Sequence, residues 1–309
     1  MQSHILHITN GDSLTNYLKE LDYKGEFLTW REMLCEGPTI PLIDSKEFYA
    51  IRRSFLSKTY KIPTSDYNFD ETIKLLDANG SYDEIHLWFE YDLFCHINLI
   101  ACISLLHQKE IKKPIYLICS GRVDGEKNLK GLPELSPAQL KKEYNNRIRL
   151  EASDIELAVA LWRTYCGKDH TIFKPYITQN SNFKYLSNCL KAHVKRFPNS
   201  ESGLSTIEEH ILKLIQSYDI RSKHHLIGYC LNYQGFYGFG DTQYQRIIEK
   251  LSIFYDEDDD RLTLNDKGLK AVNSTYSFKE ELKDHMVYGG VNRMDFQFST
   301  TDNKLLKRN

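Results

Sequence analysis

The sequence predicts an α/β protein: a mostly parallel sheet, then a helical connector, then a second helix-rich unit. Three observations predict it. Over the first 125 residues, short apolar runs of strand length alternate with stretches whose apolar residues recur at helical spacing, the pattern of βα units around a parallel sheet. From Ser136 the pattern turns helical, with capping sequences marking the helix starts. After Ser205, three helical stretches precede two short β runs. At 309 residues the chain exceeds the ~100–200 usual for one domain. The expected division is a Rossmann-like α/β ligand-binding domain over 1–125, a helical connector over 126–200, and a winged-helix-like domain with a C-terminal tail over 201–309.

Residues 4–9 read as a strand that stops at Asn10-Gly11-Asp12-Ser13, after which Leu14, Tyr17, Leu18 and Leu21 repeat as on a helix. Residues 26–30 make a second strand, and Pro38 and Pro41 break the chain behind it. Phe48, Ile51 and Phe55, then Phe69, Ile73 and Leu76, predict two helices. Residues 84–89 are the clearest strand; Glu90-Tyr91-Asp92 ends it, and Ile97, Ile100, Ile103 and Leu106 follow on a helix. Lys113-Pro114 introduces a strand over 115–119. Capping boxes start helices at Ser136-Pro137-Ala138-Gln139, Ser153-Asp154-Ile155-Glu156 and Ser205-Thr206-Ile207-Glu208. Residues 197–203, with Pro198 and Gly203, read as a hinge. Helices are then expected over 205–218, 223–233 and 242–251, with a turn holding Gly235, Gly238 and Gly240 between the last two. Strands at 254–255 and 262–264 flank an acidic tip, and this order gives the winged form of the helix-turn-helix.

Composition narrows the function. With 41% hydrophobic and 27% charged residues the chain falls in the globular range. Lysine and arginine total 40 against 42 acids, a net charge of −2, which excludes a uniformly basic nucleic-acid coat. Residues 1–10 show no basic stretch followed by an apolar run, and the apolar run at 99–106 is far short of a membrane span, so a cytoplasmic location and no membrane partner are expected. The seven cysteines lie singly, never as C-x-x-C, and read as buried reduced thiols.

Two segments carry candidate chemistry. Gly11, where a strand turns into a helix, lets backbone N–H groups approach an anion, with Asn10 and Ser13 beside it. Asp12 is expected to be the N-cap of that helix, with a ligand role as the added reading. Glu90 and Asp92 follow the clearest strand, and Asp92 can cap the next helix. Because ligands of open α/β sheets bind beyond the carboxyl ends of strands, Asp12, Glu90 and Asp92 are expected to converge, joined by Glu36. Such a set suits a hard cation such as Mg²⁺, for which Asp12, Glu90 and Asp92 are the metal ligands, or a cationic substrate. The alternative is helix caps and solvent-facing acids at a sheet edge. Cys95 is expected to pack rather than react, because neighbouring acids raise a thiol pKa. Residues 201–271 hold twelve acids and eight bases, and the wing tip at 256–260 is wholly acidic, so a protein contact is favoured over DNA there.

The segments Leu6-His7-Ile8-Thr9-Asn10-Gly11-Asp12-Ser13, Trp30-Arg31-Glu32-Met33-Leu34-Cys35-Glu36-Gly37-Pro38 and Leu87-Trp88-Phe89-Glu90-Tyr91-Asp92-Leu93-Phe94-Cys95 together resemble the bacterial family catalogued as domain of unknown function 1835, whose members commonly carry a second uncharacterised domain. Gly131-Leu132-Pro133-Glu134-Leu135-Ser136, Pro198, Gly203-Leu204-Ser205 with Glu208, and Leu262-Thr263-Leu264 with Gly268 extend the resemblance over nearly the whole chain. His96 departs from it, standing where glutamine is expected. The resemblance implies no established activity. The resulting expectation is a site for a phosphorylated or nucleotide-like small molecule, with catalytic Asp12, Glu36, Glu90 and Asp92. Asn10, Gly11, Ser13, Arg31, Gly37 and Arg122 contact the ligand, and Mg²⁺ assists hydrolysis or group transfer rather than redox chemistry. The alternative is a non-catalytic ligand-sensing regulator or adaptor acting through the winged-helix-like unit. A homo-oligomer is compatible with either.

Overall fold

In β1 (Ile5–Thr9) Leu6 and Ile8 alternate with His7 and Thr9, and all four are buried because the strand lies inside a sheet. The computed structural model describes residues 4–77, 82–258 and 260–308. In it β1 is flanked in parallel by β2 (Glu26–Thr29) and, beyond the short β3 (Gly37–Pro38), by β4 (Glu84–Trp88). Parallel β5 (Ile115–Ile118) and antiparallel β6 (Ile148–Arg149) complete the order β2-β1-β4-β5-β6. The protein is thus mixed α/β with a five-stranded, mostly parallel sheet. Chain order runs from β1 outward to β2 and then crosses to β4, so the direction of winding switches between β1 and β4.

Alternation along the strands feeds two apolar layers. On one face α1 (Asp12–Glu20) contributes Leu14 and Leu18, which cluster with Trp88 and Ile118 of the sheet. On the other, α2 (Lys46–Tyr60), the single turn α3 (Phe69–Thr72) and above all α4 (Leu93–Gln108) pack against Leu6, Ile8, Ile85 and Leu87. Helix α4 is buried from Cys95 to Leu106, and a helix apolar on all sides must be covered on all sides. α5 (Pro137–Asn145) adds Leu140 to the first layer, while α6 (Ala152–Cys166) and, after the short α7 (Lys174–Ile177), α8 (Leu186–Val194) lie against α4.

The second half follows the expected order: α9 (Thr206–Ser217), α10 (Lys223–Tyr233) and α11 (Asp241–Lys250), then the hairpin of β7 (Tyr255–Asp258) and β8 (Arg261–Leu264), then α12 (Asp266–Val272). Asp259 of the acidic tip lies outside the described residues. Among the described residues no helix is long and apolar enough to cross a membrane.

Four local expectations are corrected. Helix α6 starts earlier, with Glu151 as its cap, because Asp154 bonds back to Glu151 N at 2.9 Å and also holds Asn182 at 2.8 Å. The expected hinge at 197–203 is packed: Phe197 and Ser202 are fully buried, and Asn199 ties the loop to Ser202 and Glu209. The expected C-terminal tail is built into the fold. Its β9 (Val287–Gly289) pairs in parallel with β3, β10 (Val291–Asn292) pairs with β9, and β11 (Phe296–Ser299) pairs with β12 (Lys304–Lys307). Finally, Asp12 is not the N-cap of α1; Gly11 is, at φ +103°, and Asp12 stands in the first turn facing Arg31.

Candidate functional site

At the switch point between β1 and β4 the two strand ends meet. Asn10, just past β1, donates its side-chain amide to Cys95 Sγ at 3.1 Å and accepts from Asn98 Nδ2 at 2.8 Å. Asn98 in turn holds Glu32 O at 2.7 Å, so α4 is locked to both segments. Asp92 caps α4 as expected, accepting Cys95 N at 2.8 Å. Ligand atoms of Glu90, Asp92 and Cys95 lie within 4.8 Å of one another.

Each acid has a glycine of a distant segment close against it. A Cβ on Gly131 would come within 2.4 Å of Glu90 Oε2, and one on Gly238, at φ +66°, within 2.1 Å of Asp92 Cγ. The loop that carries Gly238 also satisfies the open end of α4: Phe236 O accepts Leu93 N at 2.8 Å and Tyr237 O accepts Phe94 N at 3.2 Å. The second half of the chain therefore forms part of this site's wall.

Burial, then the charge of Asp92, pushes Glu90 up to about 8, and burial pushes Asp92 up as well, against the opposing bond from Cys95 N–H. Among the described residues no lysine or arginine forms an ion pair with either acid. Two carboxylates this close share a proton near neutral pH or require a positive ion. The oxygens suit a hard cation; Cys95, whose thiol is driven up by burial and by both acids, stays protonated and is a poor ligand.

The other expected site residues fall in three places. Asn10, Gly11, Asp12 and Arg31 line a cleft of about 290 Å³ beside Phe94, where Arg31 Nη2 meets Asp12 Oδ1 at 2.7 Å and holds that carboxyl below its usual range. Ser13 is exposed in the first turn of α1. Arg122 lines a separate cavity of about 490 Å³ past the end of β5, together with Lys184, Lys142 and Cys119. Cys119, which lines this cavity, also feels the acids: burial, then Asp92 and Glu90, push its thiol up, while Lys184 opposes. Glu36 and Gly37 point elsewhere. Glu36 is fully buried against Arg246 Nη2 (3.0 Å), Gln243 Nε2 (3.2 Å) and the Tyr60 hydroxyl, and a Cβ on Gly37 would strike the Phe55 ring at 2.4 Å. The structure thus brings Glu90 and Asp92 together, with Asn10 beside them, and leaves Glu36 outside the cluster.

Gly131 and Gly238 went unassigned in the sequence. Both were visible there, in Gly131-Leu132-Pro133 and in the three-glycine turn, but only the fold shows which carboxylate each one faces. No protein-family model matches the chain, and no curated protein matches it.

Proposed function

We propose that this protein binds a phosphorylated or nucleotide-like small molecule at the carboxyl edge of its Rossmann-like sheet, with Glu90 and Asp92 holding Mg²⁺, and that it catalyses hydrolysis or group transfer. One observation carries this reading: a carboxylate pair at the switch point, Asp92 buried and Glu90 partly buried, with no ion-pair partner among the described residues, where open α/β sheets take their ligands. The 490 Å³ cavity past the end of β5 is of ordinary small-molecule size and offers Arg122 and Lys184, alongside Asp124 and Glu143, to a phosphate. Bound Mg²⁺ would neutralise the pair and polarise a phosphoryl oxygen. Without it, protonated Glu90 is poised to donate a proton to a leaving oxygen, and Asp92 is held in place by Cys95 N–H. Asn10 and Gly11 line the adjoining cleft, from which Arg31 can reach an anion once Asp12 releases it. We place the protein in the cytosol, where its cysteines stay reduced. We also place it with the bacterial family it resembles, because two of the segments carrying that resemblance, at 10–13 and 90–95, meet at this site.

The second reading is a non-catalytic regulator or adaptor, with the winged-helix-like unit reporting ligand binding to a protein. It is favoured by the loop that bonds α4 and packs Gly238 on Asp92, since that loop joins α10 to α11. DNA is disfavoured as the target: Arg246 of α11 is committed to Glu36 and Asp284, and β7 carries Asp256, Glu257 and Asp258.

Thermal unfolding at pH 8 with a panel of nucleotides, with and without Mg²⁺, tests the choice. A ligand at a hundred times its Kd stabilises by ~2.7 kcal/mol. A Mg²⁺-dependent shift that vanishes in Glu90→Gln supports the first reading; no shift with any nucleotide transfers the weight to the regulator.

A further inference from the structure

On the far side of the loop that caps α4 lies a second cavity, of about 370 Å³, with the opposite charge. Lys191 of α8 and Lys195, the C-cap of that helix, line it, as do His210 of α9 and the rings of Tyr233, Phe236 and Tyr237; no aspartate or glutamate is among its lining residues. The acids in the first turn of α9 are engaged elsewhere, Glu208 with Arg293 and Glu209 with Asn199 and Ser202. Lys191 and Lys195 stand one helical turn apart, and like charges at that spacing repel. A dianion between them would turn that cost into a gain.

Two further features point the same way. His210 is half-buried, its Nε2 is shielded from solvent and has no hydrogen-bond partner among the described residues, and an unfilled position of this kind calls for an occupant. Tyr233 leaves 54% of its surface in water at the rim, stacked near Tyr218 with ring centroids 6.1 Å apart and 19° between planes. Exposed aromatic surface beside two ammonium groups suits a ligand that is flat at one end and anionic at the other.

We infer that this cavity binds an aryl phosphate, its ring against Tyr233, Phe236 and Tyr237 and its phosphate between Lys191 and Lys195, with His210 Nε2 hydrogen-bonded to it. The inference is independent of the acid pair and of the reaction proposed there.

Calorimetric titration of the full chain with phenyl phosphate, inorganic phosphate and phenol tests it. Phenyl phosphate should bind at least about tenfold more tightly than either fragment, and Lys191→Ala/Lys195→Ala, the first exposed and the second half-buried, should weaken it by about tenfold or more. Lys267→Ala/Lys270→Ala, on exposed positions of α12 outside the cavity, removes the same charge and should leave its affinity unchanged. Three results would each overturn the inference: no binding of phenyl phosphate at millimolar concentration, equal binding to the Lys191/Lys195 variant, or an equal loss in the Lys267/Lys270 variant.

Discussion

Two of the protein's carboxylate clusters are treated in opposite ways. Where the two halves of the chain meet, Glu36, Asp284 and Glu208 are interleaved with Arg246, Lys250 and Arg293: Arg293 reaches Glu208 at 2.8 Å and Asp284 at 2.8 Å, while Arg246 reaches Glu36 at 3.0 Å and Asp284 at 3.2 Å. Burial would push Asp284 up, yet Arg293, Arg246 and Lys250 overcome it and hold the carboxyl far below its usual range. At the end of β4 no such ion pair is found among the described residues, and Glu90 rises. The first cluster is balanced and ties segments more than 200 positions apart. In the second, a cost is retained that stability alone would not select, and perturbed acids of this kind gather at functional sites.

The contrast breaks most sharply at Arg293. Arg293→Met leaves Glu208 and Asp284 buried without their shared guanidinium, and removing one partner of such a network costs ~3–5 kcal/mol. Urea denaturation should show that loss, whereas Glu90→Gln should show none at pH 8. Equal losses would make the two clusters the same kind of structure.

Next in size is Gly238→Ala. The added methyl would fall 2.1 Å from Asp92 Cγ in a left-handed backbone that disfavours any side chain, a strain of ~1–3 kcal/mol. It should also abolish any Mg²⁺-dependent thermal shift while leaving both acids in the sequence. A variant of wild-type stability and Mg²⁺ response would show that the loop does not press on the site.

A smaller effect comes from pH. Glu90 binds protons more tightly folded than unfolded, so its contribution is full below the ordinary carboxylate range and is lost as pH rises through about 8. Buried His7, His96 and His170, each lowered to about 4, and His86, lowered to about 3, act at the other end. Burial keeps them neutral, so their contribution is present above the free imidazole pKa and is lost as pH falls towards those values. Stability should therefore peak between the two limbs. Glu90→Gln should flatten only the alkaline limb, raising Tm there by ~2–4 °C for each kcal/mol recovered. An unchanged alkaline limb would remove the raised acid from the picture.

These two clusters were not equally legible in the sequence. The strand ends at Asn10 and at Glu90-Tyr91-Asp92 could be read because each is local: an apolar run stops, a polar turn follows, and a helix begins. Their convergence follows from adjacent parallel strands, which the βα alternation already implied. Glu36 was misplaced because its partners, Tyr60, Gln243 and Arg246, come from remote segments. The same cause hid β9, three residues with no alternation, which forms only because β3 offers its edge. Capping chemistry decided α5 and α9 in advance but misled at Asp12, where an arginine across the strand end outcompetes the helix.

That competition sets the smallest prediction. Asp12 and Arg31 form an ion pair with side chains 58% and 46% exposed, and exposed pairs contribute ~0–1 kcal/mol. Asp12→Asn should leave stability within ~0.5 kcal/mol of wild type and, by freeing Arg31 into the cleft shared with Asn10 and Gly11, should strengthen rather than weaken binding of an anionic nucleotide. Weaker binding in Asp12→Asn would instead make Asp12 a direct ligand, joining it to Glu90 and Asp92 as a third carboxylate of the uncompensated kind and enlarging the difference from the balanced cluster at Arg293.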